Sequence, residues 1–403
     1  MDTTSTINKR PLFLATGVFA MLFSGVLYAW SILKIPFAEM GFSPSVLSLN
    51  FTLTMCFFCI GAFIGSLIAK KIGHKFALII SGILVASGFV LTGLIQTESP
   101  FLLYITYAFL AGNGIGIAYN VVVSTVNSWF PDNKGLSSGC LMMGFGISTL
   151  LLGKIISKLF SLSSFGWRKT YILLGILIAS VIIISALILK KPGADTHFPD
   201  AKKGPSKENE SGKDFTTGEM LKTLTFWKAF LCMAFLAAVG NSVISFARDL
   251  ALFVGSPENI ATTLVGVLSV FNGVGRILTG ALYDAAGRRK TMISANILTA
   301  FAALSSLVAV KLSSLPLLII SLCLSGISYG SCPTVSAAFT ESFFGRKHFA
   351  TNYSITNFSL IASSFIANLS NSLLLSTGSY TAPFIMLLAL SVVSLAINYS
   401  LKK

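Results

Sequence analysis

Twelve apolar stretches constrain this sequence more than any other feature. As an α-helix rising 1.5 Å per residue, a stretch of about 20 residues crosses roughly 30 Å of hydrocarbon. Lipid offers the backbone no hydrogen-bond partner, and the period-two alternation of a membrane barrel is missing from the sequence. We therefore predict an all-α membrane protein with twelve transmembrane helices. The predicted spans cover residues 12–33, 46–69, 76–95, 101–124, 136–160, 170–189, 226–247, 260–284, 291–311, 315–338, 350–373 and 380–401.

The composition excludes several other classes of protein. Charged residues make up 11% of the chain and hydrophobic residues 54%, whereas a soluble domain carries about 25% charged residues. The net charge of +15 comes from basic residues placed between apolar blocks, so we predict contact with a lipid bilayer and no nucleic-acid partner. The six cysteines lie inside apolar runs and predict buried small side chains. No cofactor, metal site or catalytic constellation is predicted, because the three histidines (His74, His197, His348) fall in loops.

Lysine and arginine predict the orientation in the membrane. With the N-terminus inside, 21 of the 29 basic residues fall on the cytoplasmic side and seven on the other, while Arg276 lies within a span. Cytoplasmic loops of membrane proteins carry the excess of these residues. We therefore predict a multi-pass protein of the cell (plasma) membrane with both termini in the cytoplasm.

A polar segment and an internal repeat divide the chain. Residues 190–225 are rich in Lys, Gly, Pro and Ser and predict a linker between two pseudo-symmetric six-helix bundles, 1–189 and 226–403. The loop at 66–75 resembles the loop at 280–290, and Gly-Ile-Ala-Tyr at 116–119 resembles Gly-Ile-Ser-Tyr at 326–329. Parallel six-helix repeats of this kind are typical of secondary transporters, which work by alternating access.

The loop GALYDAAGRR resembles the signature of the major facilitator superfamily, Gly-x-Leu-x-Asp-x-x-Gly-Arg-[Arg/Lys]. The first-half copy departs from it, with Ser66 in place of the Gly and Lys70 in place of the Asp. Four further stretches resemble the oxalate/formate antiporter family and bacterial monocarboxylate transporters. They are YAWSI (28–32), WFPDNKGLSSG (129–139), FNGVGR (271–276) and FFGRKHFATNYS (343–354).

Arg276 is the most informative single residue. A charged arginine near the middle of a bilayer costs at least ~2.5–3.5 kcal/mol, so it must face the bundle interior or a water-filled cavity. The predicted spans contain no carboxylate that would pair with it, and a guanidinium can bind a carboxylate with two parallel hydrogen bonds. We therefore predict an anion site, and the resemblance implies that this arginine contacts a substrate carboxylate. A structural arginine that caps backbone carbonyls is the alternative.

The expected substrate follows from a departure from the family pattern. The resemblance implies that oxalate transporters carry a second cation, a lysine in span 11, and this chain has Leu360 at that place. One fixed positive charge balances one negative charge, and an unmatched charge in low dielectric is costly. We predict a monocarboxylate of the lactate, formate, pyruvate or acetate class. An oxalate/formate-type exchanger and an exporter of an unrelated solute are the alternatives.

Neutral polar side chains complete the predicted site. Asn272 lies one turn before Arg276 on the same helix face, and tyrosine hydroxyls can donate to carboxylate oxygens. Coupling is left open between proton symport and exchange for a counter-transported anion, and we expect a monomer. The predicted substrate-binding residues are Arg276, Tyr119, Tyr329, Asn120, Asn272, Tyr28 and Asn357, with Trp30 and Asn113 as weaker candidates and Asp284 with Arg288 as a gating pair.

Overall fold

The computed structural model describes residues 9–130, 134–193, 214–345 and 347–401, without the side chains of 134–136, Asp284 and Ala350. In this part of the chain twelve helices are long and apolar enough to cross a membrane, which confirms the predicted all-α architecture. Most run further than the hydropathy pattern indicated, because hydropathy marks only the apolar part of a helix. Spans 1 to 12 are Arg10–Glu39, Pro44–Lys71, His74–Gly93, Pro100–Asn127, Ser137–Ser161, Gly166–Ile188, Leu224–Phe253, Glu258–Tyr283, Ala285–Lys311, Leu315–Phe344, Thr351–Thr377 and Thr381–Ser400.

Several spans depart from regular α-helix within their length. Span 1 passes through a 3₁₀ segment at Gly25–Ala29. Span 4 contains a π-helical stretch, Tyr104–Ala111. Span 11 is interrupted at residues 357–358, between the helices Phe349–Thr356 and Ser359–Thr377. Such irregular backbone is tolerated at membrane depth only where protein or a cavity surrounds it, and it often accompanies function.

The residues divide by their internal contacts into two compact units. The first comprises Met1–Val46 and Leu53–Lys203, and the second comprises Leu47–Thr52 and Gly204–Lys403. The predicted linker, 190–225, lies largely outside the described residues. Its last part forms a short helix, Thr217–Leu221, where sequence analysis had expected only a polar tether. The Thr216 side chain and the Glu219 carboxylate form a capping box that explains this helix.

The residue before the capping box, Phe215, is hydrogen-bonded to the end of span 10 and to the beginning of span 11. The amide of Phe215 donates to the carbonyl of Phe344 (3.0 Å), and their rings pack edge to face. The Asn352 amide donates to the Phe215 carbonyl (3.0 Å) and accepts from the Thr217 hydroxyl (2.8 Å). Asn352 is fully buried, so these bonds fix the beginning of span 11.

One backbone feature recurs in both units. Gly73, between spans 2 and 3, has φ +94° and ψ 157°, and Gly287, at the beginning of span 9, has φ +75° and ψ 173°. Side chains with a Cβ rarely adopt this conformation, which explains why both related loops carry glycine here. Gly287 lies inside an otherwise helical stretch, Glu258–Lys311, so spans 8 and 9 are joined almost directly.

Close helix packing corrects the register of the repeat. A Cβ at Gly116 in span 4 would overlap the Phe58 carbonyl in span 2, and a Cβ at Gly330 in span 10 would overlap the Asn272 carbonyl in span 8. Gly116 is therefore equivalent to Gly330, not to Gly326 as the Gly-Ile-x-Tyr similarity suggested. The shift is four residues, about one helical turn. Phe58 and Asn272 consequently occupy matching places in the two units.

Candidate functional site

Arg276 is buried in the second unit with 7% of its surface exposed. It lies seven residues before the end of span 8 at Tyr283, about 8 Å past the middle of the helix at 1.5 Å per residue. It lies within electrostatic range of Tyr353 in span 11 and of Cys332 in span 10. The guanidinium therefore belongs to a buried region shared by spans 8, 10 and 11.

Asn272 lies one turn before Arg276 on the same helix and is 1% exposed. In the described part of the chain neither its amide nitrogen nor its amide oxygen makes a hydrogen bond. The close approach of Gly330 holds its backbone, because a larger residue at 330 would overlap the Asn272 carbonyl. Span 8 thus presents a cation and a neutral amide on one face.

Tyr353 lies within electrostatic range of Arg276. Its side chain hydrogen-bonds to Asn357, and its hydroxyl also donates to the Pro333 carbonyl (3.5 Å). The Asn357 side chain accepts from the Ser336 hydroxyl (3.3 Å) and lies at the break in span 11. Sequence analysis used Tyr353 only to align a motif and missed it as a site residue. A tyrosine in an unusually polar span was the available signal.

Tyr329 lies in span 10 next to the glycine that contacts span 8. It is buried, and a Cβ at Gly240 in span 7 would overlap its side chain. The tyrosine is therefore held by close packing against span 7. Its side chain is placed in the same unit as Arg276, Asn272 and Asn357.

Two tyrosines of the first unit that were predicted to bind substrate pack on the same phenylalanine. Tyr28, in the 3₁₀ segment, packs edge to face on Phe145 (ring centroids 5.1 Å apart), and Tyr119 does the same from span 4 (5.4 Å). Phe58 packs on Tyr119 (5.2 Å), and the Tyr119 hydroxyl donates to the sulfur of Met142 (2.9 Å). Phe58 and Phe145 were not predicted, because phenylalanine is too common in this chain to stand out.

The remaining candidates of the first unit differ in their surroundings. Asn120 is half-buried beside Tyr119. Trp30 is buried against the ring of Tyr107 (4.8 Å) and contributes to the core. Asn113 donates to the carbonyl of Phe109 in its own helix (2.8 Å), which gives it a local structural role.

Of the predicted gating pair, Asp284 and Arg288, the structure describes only the side chain of Arg288. The Arg288 guanidinium lies over the ring of Phe343, 4.3 Å from its centroid, as a cation–π contact. The side chain of Asp284 lies outside the described residues, so the pair stays a prediction. The contact with Phe343 joins the beginning of span 9 to the end of span 10.

Acidic and histidine side chains of the described residues lie near helix ends. Those within or beside the spans are at most four residues from a span end: Glu39, His74, Glu98, Asp249, Glu258, Glu341 and His348. Among the described residues no group of three or more His, Cys, Asp or Glu side chains forms a metal-binding cluster. In the described chain these groups therefore lie away from the span centres.

Twelve membrane helices in two repeated units, with polar groups buried along broken spans, define a membrane transporter. The family model of the Major Facilitator Superfamily matches residues 12–253 and 230–402. The chain belongs to the major facilitator superfamily and is one of its multi-pass transporters.

Two relatives agree with the narrower resemblance. The chain is 30% identical over 364 residues to the oxalate:formate antiporter of Oxalobacter formigenes, an alignment covering 87% of this chain and 81% of the relative. It is 25% identical over 360 residues to monocarboxylate transporter 12 of Mus musculus, covering 82% and 72%. These similarities confirm the family resemblance inferred from the motifs.

Solved transporters share the fold at low sequence identity. The xylose transporter XylE from E. coli, in a partially occluded inward-open conformation, has a TM-score of 0.74 and 13% identity over 98% of both chains. A bacterial homologue of the human lysosomal transporter Spinster has a TM-score of 0.69 and 17% identity, covering 97% of this chain and 96% of that one.

Proposed function

We propose that this transporter carries a small monocarboxylate of the lactate, formate, pyruvate or acetate class and that Arg276 binds its carboxylate. The observation that carries the proposal is the burial of the Arg276 side chain within electrostatic range of Tyr353. A guanidinium fork matches a carboxylate with two parallel hydrogen bonds. The kinship with an oxalate:formate antiporter and with monocarboxylate transporter 12 supports an organic anion as the substrate.

Neutral groups complete the proposed site. In the second unit Asn272, Tyr329 and Asn357 supply amide and hydroxyl groups that contact the anion without adding charge. In the first unit Tyr28, Tyr119 and Asn120 form the aromatic and polar surface that contacts the substrate. The packing of both tyrosines on Phe145 supports their acting together.

Exchange of oxalate and formate is the second candidate function. The 30% identity to the oxalate:formate antiporter favours it. Leu360 weighs against it, because it offers no second positive charge at the place of the family's lysine. A dianion on one fixed cation leaves a charge unmatched in low dielectric.

Coupling and orientation follow as further proposals. Because the described Asp, Glu and His side chains lie near span ends, a co-transported proton would enter with the protonated acid, or the carrier would exchange anions. We place the protein in the plasma membrane as a monomer with both termini cytoplasmic, on the distribution of Lys and Arg.

Uptake into proteoliposomes tests the role of Arg276. We expect accumulation of labelled lactate, pyruvate, acetate or formate by the wild type. We expect a roughly 10- to 100-fold loss in Arg276→Gln, because hydrogen bonds to charged groups contribute about 1.5–3 kcal/mol. Arg276→Lys should retain part of the activity, since it keeps the charge and loses the fork.

A matched variant controls for loss of any arginine. Arg168 is exposed at the beginning of span 6, where its guanidinium donates to the Ile95 carbonyl (3.0 Å), and Arg168→Gln should transport like the wild type. Anion uptake by Arg276→Gln at the wild-type rate would remove the binding role of Arg276. Strong preference for oxalate over lactate would replace the monocarboxylate by the second candidate.

A further inference from the structure

The amide of Asn272 is a buried polar group that the proposed function does not yet use fully. It is 1% exposed, and neither amide atom makes a hydrogen bond in the part of the chain that the structure describes. Burying an amide without partners is unfavourable, and a leucine of similar size would avoid the cost. A group of this kind is expected where a ligand supplies the missing bonds.

The place of Asn272 in the fold directs it to the same ligand as Arg276. The two residues are four apart on one helix and therefore lie on one face. In the first unit the equivalent position is Phe58, whose ring packs on Tyr119 (5.2 Å) and Phe145 (6.3 Å). The repeat thus assigns this position to the buried polar and aromatic part of each unit, not to the lipid face.

The chemistry of the two side chains differs in a useful way. A guanidinium only donates hydrogen bonds, whereas a carboxamide both donates and accepts. A carboxylate only accepts hydrogen bonds, so it leaves the accepting oxygen of Asn272 unused. A hydroxyl group on the carbon next to the carboxylate would use both atoms of the amide, and an oxo group there would use its nitrogen.

We propose that Asn272 determines specificity by binding a hydroxyl or oxo group on C2 of the substrate. This inference rests on the proposed function and narrows it: the substrates are 2-hydroxy and 2-oxo monocarboxylates such as lactate and pyruvate. Unsubstituted acids offer the amide no partner beyond the carboxylate and bind more weakly. A site built to hydrogen-bond a substrate group rejects analogues that lack it.

Three acids of equal carbon number test the proposal. Lactate, pyruvate and propionate compete for uptake of labelled lactate into proteoliposomes with the wild type, Asn272→Leu and Asn398→Leu. Asn398 is a second buried amide, in span 12, whose nitrogen also lacks a hydrogen bond in the described chain. It therefore serves as the matched control.

We expect lactate and pyruvate to compete about tenfold better than propionate in the wild type and in Asn398→Leu. In Asn272→Leu the ratio should approach one, while the melting temperature stays equal or rises. An unchanged ratio in Asn272→Leu, or an equal loss of all three acids, would overturn the proposal. Asn272→Ser, which keeps a donor and an acceptor, should retain part of the preference.

Two readouts separate this inference from the proposed function. Ligand-induced thermal stabilisation of the wild-type protein needs no variant, and equal stabilisation by lactate and propionate would refute the role of Asn272. If all three acids are transported alike and Arg276→Gln abolishes uptake, only the Asn272 inference fails. If Arg276→Gln leaves uptake unchanged, the proposed function itself fails.

Discussion

Leu360 and Arg276 are the two residues on which the charge of the proposed anion site depends. Leu360 is half-buried in span 11, three residues after Asn357. The family resemblance implies a lysine at this position, and a lysine would add a second cation to the second unit. Sequence analysis used the number of fixed positive charges to choose between a monoanion and a dianion. A mutation of Leu360 can change this number directly.

Leu360→Lys should shift selectivity towards a dianion. We expect the ratio of oxalate to lactate uptake to rise, roughly tenfold or more, because two cations match two negative charges where one leaves a charge unmatched. Counterflow of the two labelled anions in proteoliposomes measures the ratio. Leu360→Gln, similar in length and uncharged, is the control, and equal ratios in the Lys and Gln variants would contradict the charge argument.

Tyr353→Phe should weaken substrate binding without unfolding the protein. The change removes the hydroxyl that bonds to Asn357 and Pro333. We expect KM for the carboxylate to rise about three- to tenfold, since a hydrogen bond contributes roughly 0.5–1.5 kcal/mol. Tyr399→Phe, at an exposed tyrosine of span 12, should behave as the wild type. An unaltered KM in Tyr353→Phe would exclude Tyr353 from the site.

At the residue scale, a single charged residue in a span is easier to identify from the sequence than a network of interacting side chains. Arg276 could be singled out because an ionised side chain is costly within an apolar stretch. Tyr353 could not, because its importance comes from neighbours on two other helices. The predicted Asn357 was chosen for polarity, and its place at a helix break follows from packing that no local pattern encodes.

The elements of the second unit are held by backbone contact between spans 8 and 10. Gly275 and Gly330 bring the two helices close enough that a Cβ at either would overlap a carbonyl oxygen of the other helix. Small residues at helix interfaces are the usual means of such an approach in membranes. The position of the Arg276 helix therefore depends on glycine at its neighbours.

Gly330→Ala should destabilise the protein and impair transport. The added methyl group would overlap the Asn272 carbonyl, and overpacking of this kind costs about 1–3 kcal/mol. Gly280→Ala lies in span 8 with no atom within 4 Å of the added Cβ, so it should be tolerated. Thermal unfolding in detergent measures both, and equal melting temperatures would show that the helices can separate freely.

The number and order of the helices could be predicted from the sequence, and their irregularities could not. Hydropathy counts spans because lipid excludes polar backbone. The 3₁₀ segment of span 1 and the π-helical stretch of span 4 arise from tertiary packing, which propensities do not report. The Gly-Ile-x-Tyr similarity gave an alignment of the two units that is wrong by one helical turn. Similar short sequences need not occupy equivalent positions in packed helices.

At the scale of the whole molecule, the distribution of basic residues predicts the topology. With 21 basic residues assigned to one side and seven to the other, we expect both termini in the cytoplasm. A fluorescent protein that matures only in the cytoplasm, fused after residue 401, should be bright. The same fusion after residue 378, at the other end of span 12, should be dark. The reverse pattern would invert the proposed orientation.

The junction at Gly287 has a mechanical consequence for the helix that carries Arg276. Gly287 is the single non-helical residue between two long helical segments. The connection between these segments is therefore too short to let them move independently. A tilt of one run must displace the beginning of the next, so spans 8 and 9 behave as a stiff hairpin. Movement of the Arg276 guanidinium during a transport cycle would therefore also displace span 9.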